Sequence, residues 1–289
     1  MDIAQIEAFL AVAETASFSL AAERLHLTQP AVSKRIAALE DELDQRLFDR
    51  IGRLVGVTEA GRALLPHARQ ALDAMRAGRR ALEDLAGDVG GTLRFGTSHH
   101  IGLHRLPPLL RHYTERYPQV ELDIRFMDSE EACRAVEQGT LELAVVTLPQ
   151  APSANVITRV VWDDPLVFVA APDHPAASTR RIEVLAQHPA ILPAEGTFTR
   201  GIVVQALTAA GVRPQVAMET NYLETIRMMV SIGLGWSVLP RTMLNPELVA
   251  VPIRGIALSR ALGSVVHRAR SLSNAATAML ALLATHTRA

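Results

Sequence analysis

The chain has 289 residues, 49% of them hydrophobic, a formal charge of -1 and a single cysteine. That length exceeds one ordinary core and suits two or three domains, while the near-neutral balance excludes a globally basic nucleic-acid binder, so any such case must be local. Cys133 alone excludes an intramolecular disulfide and any zinc site built on paired thiols.

The opening MDIAQIEAFLAVAETASF carries Asp2 and Glu7 and no basic leader region. No run approaches the roughly 18 apolar residues of a membrane span, so a soluble, cytoplasmic protein is expected. Ile3, Ile6, Phe9, Leu10 and Ala13 recur at helical spacing, and Ser19 is placed to cap a second short helix through Leu25. In LTQPAVSKRI a third helix begins: with Thr28 as N-cap, Pro30 falls in the first turn, where its missing N–H has no intrahelical partner to lose. Val32, Ile36, Leu39 and Leu43 then share one stripe that can bury, and Gln29, Pro30, Ser33, Lys34 and Ala37 form a flat, short-chained face beside it.

From Arg24 to Ile36 there is no acid, so this segment can approach phosphates. Two helices joined by a tight turn, the second presenting Gln29, Ser33 and Lys34, suit a major groove, where Gln and Ser reach base edges and Lys reaches guanine or phosphate. RLFDRIGRLVGVT reads as a hairpin turning at Gly52, a wing whose Arg50 and Arg53 could touch phosphates or a minor groove. The competing account is a small helical bundle with Gln29 and Ser33 as plain surface, and with Arg50 paired to Asp49 or Glu42.

The run SFSLAAERLHLTQPAVSKRIAALEDELDQRLFDRIGRLVGVTEAG is similar, nearly end to end, to the winged helix-turn-helix of LysR-type transcriptional regulators, and the resemblance continues over almost the whole chain. It implies that Gln29, Pro30, Ser33 and Lys34 are the major-groove face and that Arg50 and Arg53 belong to the wing. Two departures are visible: Thr28 stands where the family usually has serine, and Asp44 where it often has glycine after Glu-Leu.

One long helix is expected from Thr58 to about Ala86, bent at Pro66, with Leu65, Ala68, Leu72, Met75, Leu82 and Ala86 on a seam broken by Arg79. The seam packs either on the chain's own body or on the same helix of a second subunit; the resemblance implies a dimerising linker. Gly90-Gly91 marks the hinge that follows.

Strand and helix then alternate through LRFGTS, HRLPPLLRHYTERY, VELDIRF, SEEACRAVEQ and LELAVVTL, the pattern of a parallel sheet covered on both faces. The plan recurs: GTSHHIGLHRLPPLLRHYTERYPQVELDIRF is echoed by GTFTRGIVVQALTAAGVRPQVAMET, and DSEEACRAVEQGTLELAVV by NYLETIRMMVSIGLGWSVL. Two α/β lobes follow, as in periplasmic-type binding proteins, with the chain crossing between them around Val161, Trp162 and Asp163 and back near Gly263 to Val266. The fold expected is α/β with an N-terminal winged helix-turn-helix over 1–57, a linker helix over 58–89 and a two-lobed effector domain over 90–289. Lobe I spans about 90–161 and 266–289, and lobe II about 162–265.

Ligands of open α/β sheets sit beyond the carboxyl ends of the strands. That rule selects Thr97, Ser98, His99 and His100 after the first strand, Ser129 at a helix start, Thr197 and Thr199, and Asn221 with Tyr222. Hydroxyls beside helix N-termini suit a small anionic or polar effector, although Thr97, Ser129, Thr199 and Asn221 could each be a simple cap. Protonated His100 would strengthen binding of an anion as pH falls through about 6.5.

His99, His100 and His104 also raise a metal, set aside because no acid or thiol ligand lies near them in sequence. Ser98 beside His99 is no nucleophile and base, since adjacent residues rarely present that geometry and no G-x-S-x-G occurs, so neither catalysis nor a cofactor is expected. Cys133 reads as a buried helix residue, with redox sensing as the alternative. The function expected is a sequence-specific transcriptional regulator controlled by an effector; the alternative is a solute-binding protein without DNA function. Expected partners are double-stranded DNA with dyad symmetry, the effector, a second copy or a homotetramer as the resemblance implies, and RNA polymerase.

Overall fold

The computed structural model describes residues 1–51, 54–84 and 89–285, and only the backbone of residues 50, 51, 54, 73, 76, 77 and 79–84. The chain divides into two units, the first built from Met1–Ala86 and the second from Gly87–Glu137 with Leu141–Ala289.

In the first unit Asp2 caps α1 (Ile3–Thr15) in a reciprocal box with Gln5, and Ser17 caps α2 (Phe18–Arg24) by accepting from Leu20 N. The cap was expected at Ser19; the extended backbone of Ser17 takes it because the helix starts two residues earlier. Helix α3 (Gln29–Leu43) opens as its sequence demands, with Thr28 accepting from Ala31 N and Pro30 inside the first turn. Val32, Ile36 and Leu39 are fully buried, whereas Leu43, expected on the same stripe, is 37% exposed at the helix end. Asp44 ends the helix at φ 49°, the left-handed region in which glycine is at ease and Asp is tolerated. Strands β1 (Phe48–Ile51) and β2 (Leu54–Val57) form the antiparallel wing, tied to α3 by Glu40, whose carboxylate accepts from Leu47 N and Phe48 N. Phe48 packs on Phe9 and Phe18 at 5.5 and 5.9 Å between ring centroids, closing the core.

Helix α4 (Glu59–Asp84) starts at Thr58, whose hydroxyl accepts from Gly61 N, and contains Pro66. Its expected seam divides. Ala68 and Leu72 are buried in the unit's own core with Leu65 packed against it, while Met75 is 50% exposed. The side chain of Leu82, and Ala86 altogether, lie outside the described residues.

The second unit is built on a mixed sheet, of which the expected parallel part is present. Strands β3 (Gly91–Thr97), β4 (Val120–Phe126) and β5 (Leu143–Thr147) run parallel in the order β4-β3-β5. Helices α5 (His99–His104), α6 (Leu106–Arg116) and α7 (Ser129–Glu137) connect them. The long strand β6 (Val156–Ala170) leads into the second lobe, whose β7 (Pro189–Leu192), α8 (Phe198–Ala209), β8 (Gln215–Glu219), α9 (Leu223–Ser231) and β9 (Ser237–Pro240) repeat the plan with β7 and β8 parallel. A short β10 (Val249–Ala250) precedes β11 (Leu258–His267), which returns antiparallel to both β5 and β6, and α10 (Asn274–Thr285) packs on the first lobe.

Strands β6 and β11 are thus shared by both lobes, and their register shifts between Leu262 and Gly263. A Cβ on Gly263 would lie 2.0 Å from the carbonyl oxygen of Arg159, so only glycine lets the crossing strands approach here. Each lobe buries apolar side chains on both sheet faces: α6 and α10 cover Leu93, Phe95 and Val145, and α7 covers Ala144 and Val146. In the second lobe Trp236 anchors one face, and Ile226 and Val230 of α9 the other.

Candidate functional site

In the first unit, Gln29, Pro30 and Lys34 are exposed and Ser33 half-exposed at the start of α3. Gln29 Nε2 donates to Ser33 Oγ at 3.1 Å, so the two polar side chains lie together one turn apart. Arg24, at the end of the preceding helix, is held by Glu14 at 2.6 Å. The side chain of Arg50 and the whole of Arg53 lie outside the described residues; the backbone of Arg50 pairs with Val55 in the wing.

In the second unit the carboxyl ends of β3 and β5 and the starts of α5, α7, α8 and α9 line a cleft of about 290 Å³. Ser98, His99, His100, Ser129, Thr197, Thr199, Asn221 and Tyr222 all reach it. Thr97 does not: it is the last residue of β3, fully buried, and its hydroxyl donates to the Val145 carbonyl at 2.8 Å.

Several of these groups are already engaged. Ser129 Oγ accepts from Thr147 N, Thr197 Oγ1 accepts from Arg200 N, and Asn221 donates to Asp128 at 2.7 Å while accepting from Ala194 N. The N-terminus of α8, a natural anion seat, is taken by the protein's own Glu130, whose carboxylate accepts from Phe198 N. Ser98 differs: it is the N-cap residue of α5 yet makes no side-chain cap bond, which leaves its hydroxyl for the cleft. At the rim the His99 ring sits edge-on to Tyr222 at 5.0 Å and tilted against Phe126 at 5.2 Å.

Sequence reasoning missed Arg260. It stands on β11 directly opposite Asp164 of β6, and its Nε donates to Asp164 Oδ2 at 2.9 Å. Nη1 donates to Thr199 Oγ1 at 3.0 Å, and Nη2 has no partner among the described residues although Arg260 is only 5% exposed. Asp164 is fully buried and also accepts from Arg105 at 3.2 Å. The signal was present in the strand period: Leu258, Arg260 and Leu262 point the same way, so a cation sits at an inward position. Asp128, Glu130 and Glu131 also line the cleft and make that part of it acidic.

Burial works against the expected role of His100 as a protonated partner. His100 is 6% exposed, and burial, reinforced by the Arg260 guanidinium, lowers its pKa to about 4, so it is neutral near pH 6.5. His104 and Glu224 meet across the lobes, Nε2 to Oε1 at 2.7 Å. Cys133 lies half-buried on α7, its thiol pushed up to about 12 by burial and by Glu130 and Glu137, the opposite of the thiolate character that redox sensing needs. No helix among the described residues is long and apolar enough to cross a membrane.

Residues 3–62 match the family model described as bacterial regulatory helix-turn-helix protein, lysR family, and residues 86–288 match that of the LysR substrate binding domain. An uncharacterized HTH-type transcriptional regulator in the ibpB-leuC intergenic region of Azotobacter vinelandii is 68% identical over 108 residues, 37% of this chain and 75% of that protein. The HTH-type transcriptional regulator CbbR of Rhodospirillum rubrum is 32% identical over 284 residues, 96% of this chain and 94% of its own. Among solved structures, full-length OxyR from Pseudomonas aeruginosa matches with a TM-score of 0.72 at 25% identity, covering 100% of this chain and 95% of that one. With both family regions present in order and whole-length relatives named as regulators, the chain belongs to the LysR family of transcriptional regulators.

Proposed function

We propose that this regulator is controlled by a small carboxylate or similar oxyanion that also carries a donor or cationic group, bound between the lobes of the second unit. The observation that carries this reading is Arg260 Nη2, a buried guanidinium nitrogen with no hydrogen-bond partner among the described residues, on a side chain that lines the same cleft as the uncapped Ser98. A charged donor left unsatisfied in a buried site costs free energy that an incoming oxyanion returns. The acidic wall of Asp128, Glu130 and Glu131 favours a dipolar molecule over a plain dianion, and the His99, Phe126 and Tyr222 rings flank its entrance. The effector changes lobe closure because Glu130 and Asp128 bridge the lobes through Phe198 N and Asn221.

Gln29, Pro30, Ser33 and Lys34 read the major groove, and the wing arginines Arg50 and Arg53 hold the backbone. The protein works in the cytoplasm as a dimer or tetramer on dyad-symmetric DNA, without catalysis, and passes its signal to RNA polymerase. A thermal-shift panel on the full chain tests the effector class, since a ligand at 100 times its dissociation constant adds about 2.7 kcal/mol. Small amino acids and other dipolar carboxylates should raise the melting temperature, and Ser98→Ala should reduce the shift. Equal stabilisation by the uncharged amide analogues, or a shift that ignores Ser98→Ala, would reject it.

A further inference from the structure

Two histidines one helical turn apart on α5 meet a carboxylate contributed by the other lobe. His104 Nε2 lies 2.7 Å from Glu224 Oε1, in the first turn of α9, and the His100 and His104 ring centroids are 4.8 Å apart. Both ring nitrogens of His100 are buried and find no hydrogen-bond partner among the described residues. One ligand atom from each of the three residues lies within 4.8 Å of the other two. We propose that His100, His104 and Glu224 form a site for one first-row divalent metal ion, zinc foremost, that ties the first lobe to the second.

The chemistry fits the donors. Two imidazoles and one carboxylate, with a fourth position left for water, are a zinc-type set, and imidazole suits this class of ion better than magnesium or calcium. A tetrahedral ion with bonds of about 2.0 Å sets its ligands about 3.3 Å apart, and the three atoms already lie within 4.8 Å of one another. A buried imidazole normally keeps a partner, and His100 has none among the described residues; an ion would use the lone pair left idle. Glu224 is prepared as well: its second oxygen accepts from Arg227 Nε at 3.0 Å, an outer partner that orients the ligand oxygen. Arg105 and Arg260 oppose a cation here, but both bond to Asp164, and a hydroxide or carboxylate in the fourth position removes further charge. The metal set aside on sequence spacing returns because the fold supplies the missing acid from 120 residues away.

The site does not depend on the effector reading, because the ion is titrated alone. Untagged full-length protein, stripped with a chelator, is titrated with Zn²⁺ by calorimetry and with Co²⁺ by visible absorption. One ion per chain is expected, with the strong d–d bands of a four-coordinate site. His104→Gln and Glu224→Gln, both at partly exposed side chains, should each weaken binding at least tenfold with the melting temperature of the metal-free protein unchanged. His174→Gln, which breaks the other close histidine pair, should change nothing. Absence of a stoichiometric site, unchanged affinity in the first two variants, or loss of binding in His174→Gln would overturn the proposal.

Discussion

Arg260 and Asp164 are direct register partners across the two strands that join the lobes, with Nε 2.9 Å from Oδ2 and Asp164 fully buried. Removing one member leaves the other charge buried without its register partner, whereas removing both leaves only the partly exposed Arg105 without its carboxylate. Asp164→Asn should therefore lower the unfolding free energy by about 3 to 5 kcal/mol, and Asp164→Leu combined with Arg260→Leu by clearly less. Urea denaturation of the full chain measures both; a double variant as unstable as the single one would mean the pair stabilises the crossing by its own attraction.

Gln29 and Ser33 hydrogen-bond each other at the exposed start of α3, which holds the Gln amide on the face proposed to meet base edges. Gln29→Ala should cost about 1 to 3 kcal/mol on a specific operator and little on random DNA. Lys34→Ala should weaken both and reduce the salt slope by about one. Fluorescence anisotropy on the two DNAs at several salt concentrations separates these roles, and an equal loss on both DNAs for Gln29→Ala would remove it from base reading.

The local signals in the sequence were the most legible ones. Thr28 with Pro30 gave the start of α3 because a cap and a first-turn proline are decided within four residues. The doubled Gly-Thr and Pro-Gln-Val pattern gave two lobes because each repeat must bury the same faces. What stayed hidden depends on pairing across long separations. The antiparallel β6 and β11 convert the sheet to a mixed one, and they bring Arg260 to Asp164 from 96 residues away. Glu224 reaches His104 only because the chain crosses between lobes, so spacing along the sequence argued against a metal that the fold accommodates. The seam of α4 stayed open for a related reason: a helical stripe shows that a partner exists but not whether it is the chain itself.

That distinction gives a test of assembly. Leu72 is 8% exposed in the first unit's own core and Met75 is 50% exposed one turn nearest to it along α4. Leu72→Glu buries a charge and should destabilise the DNA-binding unit by several kcal/mol, on the order of 3. Met75→Glu should leave folding intact and shift the oligomer toward smaller species, because it charges a face free for a second subunit. Sedimentation velocity with circular dichroism reads both effects; an unchanged oligomer in folded Met75→Glu would place the subunit contact off this face.

His100 supplies a pH dependence whose sign follows from its environment. Its pKa is lowered to about 4 in the folded chain, by burial first and by Arg260 second, against an ordinary value of 6.5 in the unfolded one. Between these values the unfolded chain binds a proton that the folded chain refuses, so stability falls as pH drops from about 6.5 to about 4 and loses nothing more to this group below that. The contribution is a few kcal/mol at most, on the order of 3, superimposed on the titration of the carboxylates. His100→Asn, compared with the parent in urea at pH 7, 6, 5 and 4 with a chelator present, isolates it. The parent should lose more stability than the variant across that window, and the two should fall in parallel below it. Parallel curves throughout would mean that His100 takes up its proton in the folded protein as readily as in the unfolded one, and that the idle nitrogens are open to water.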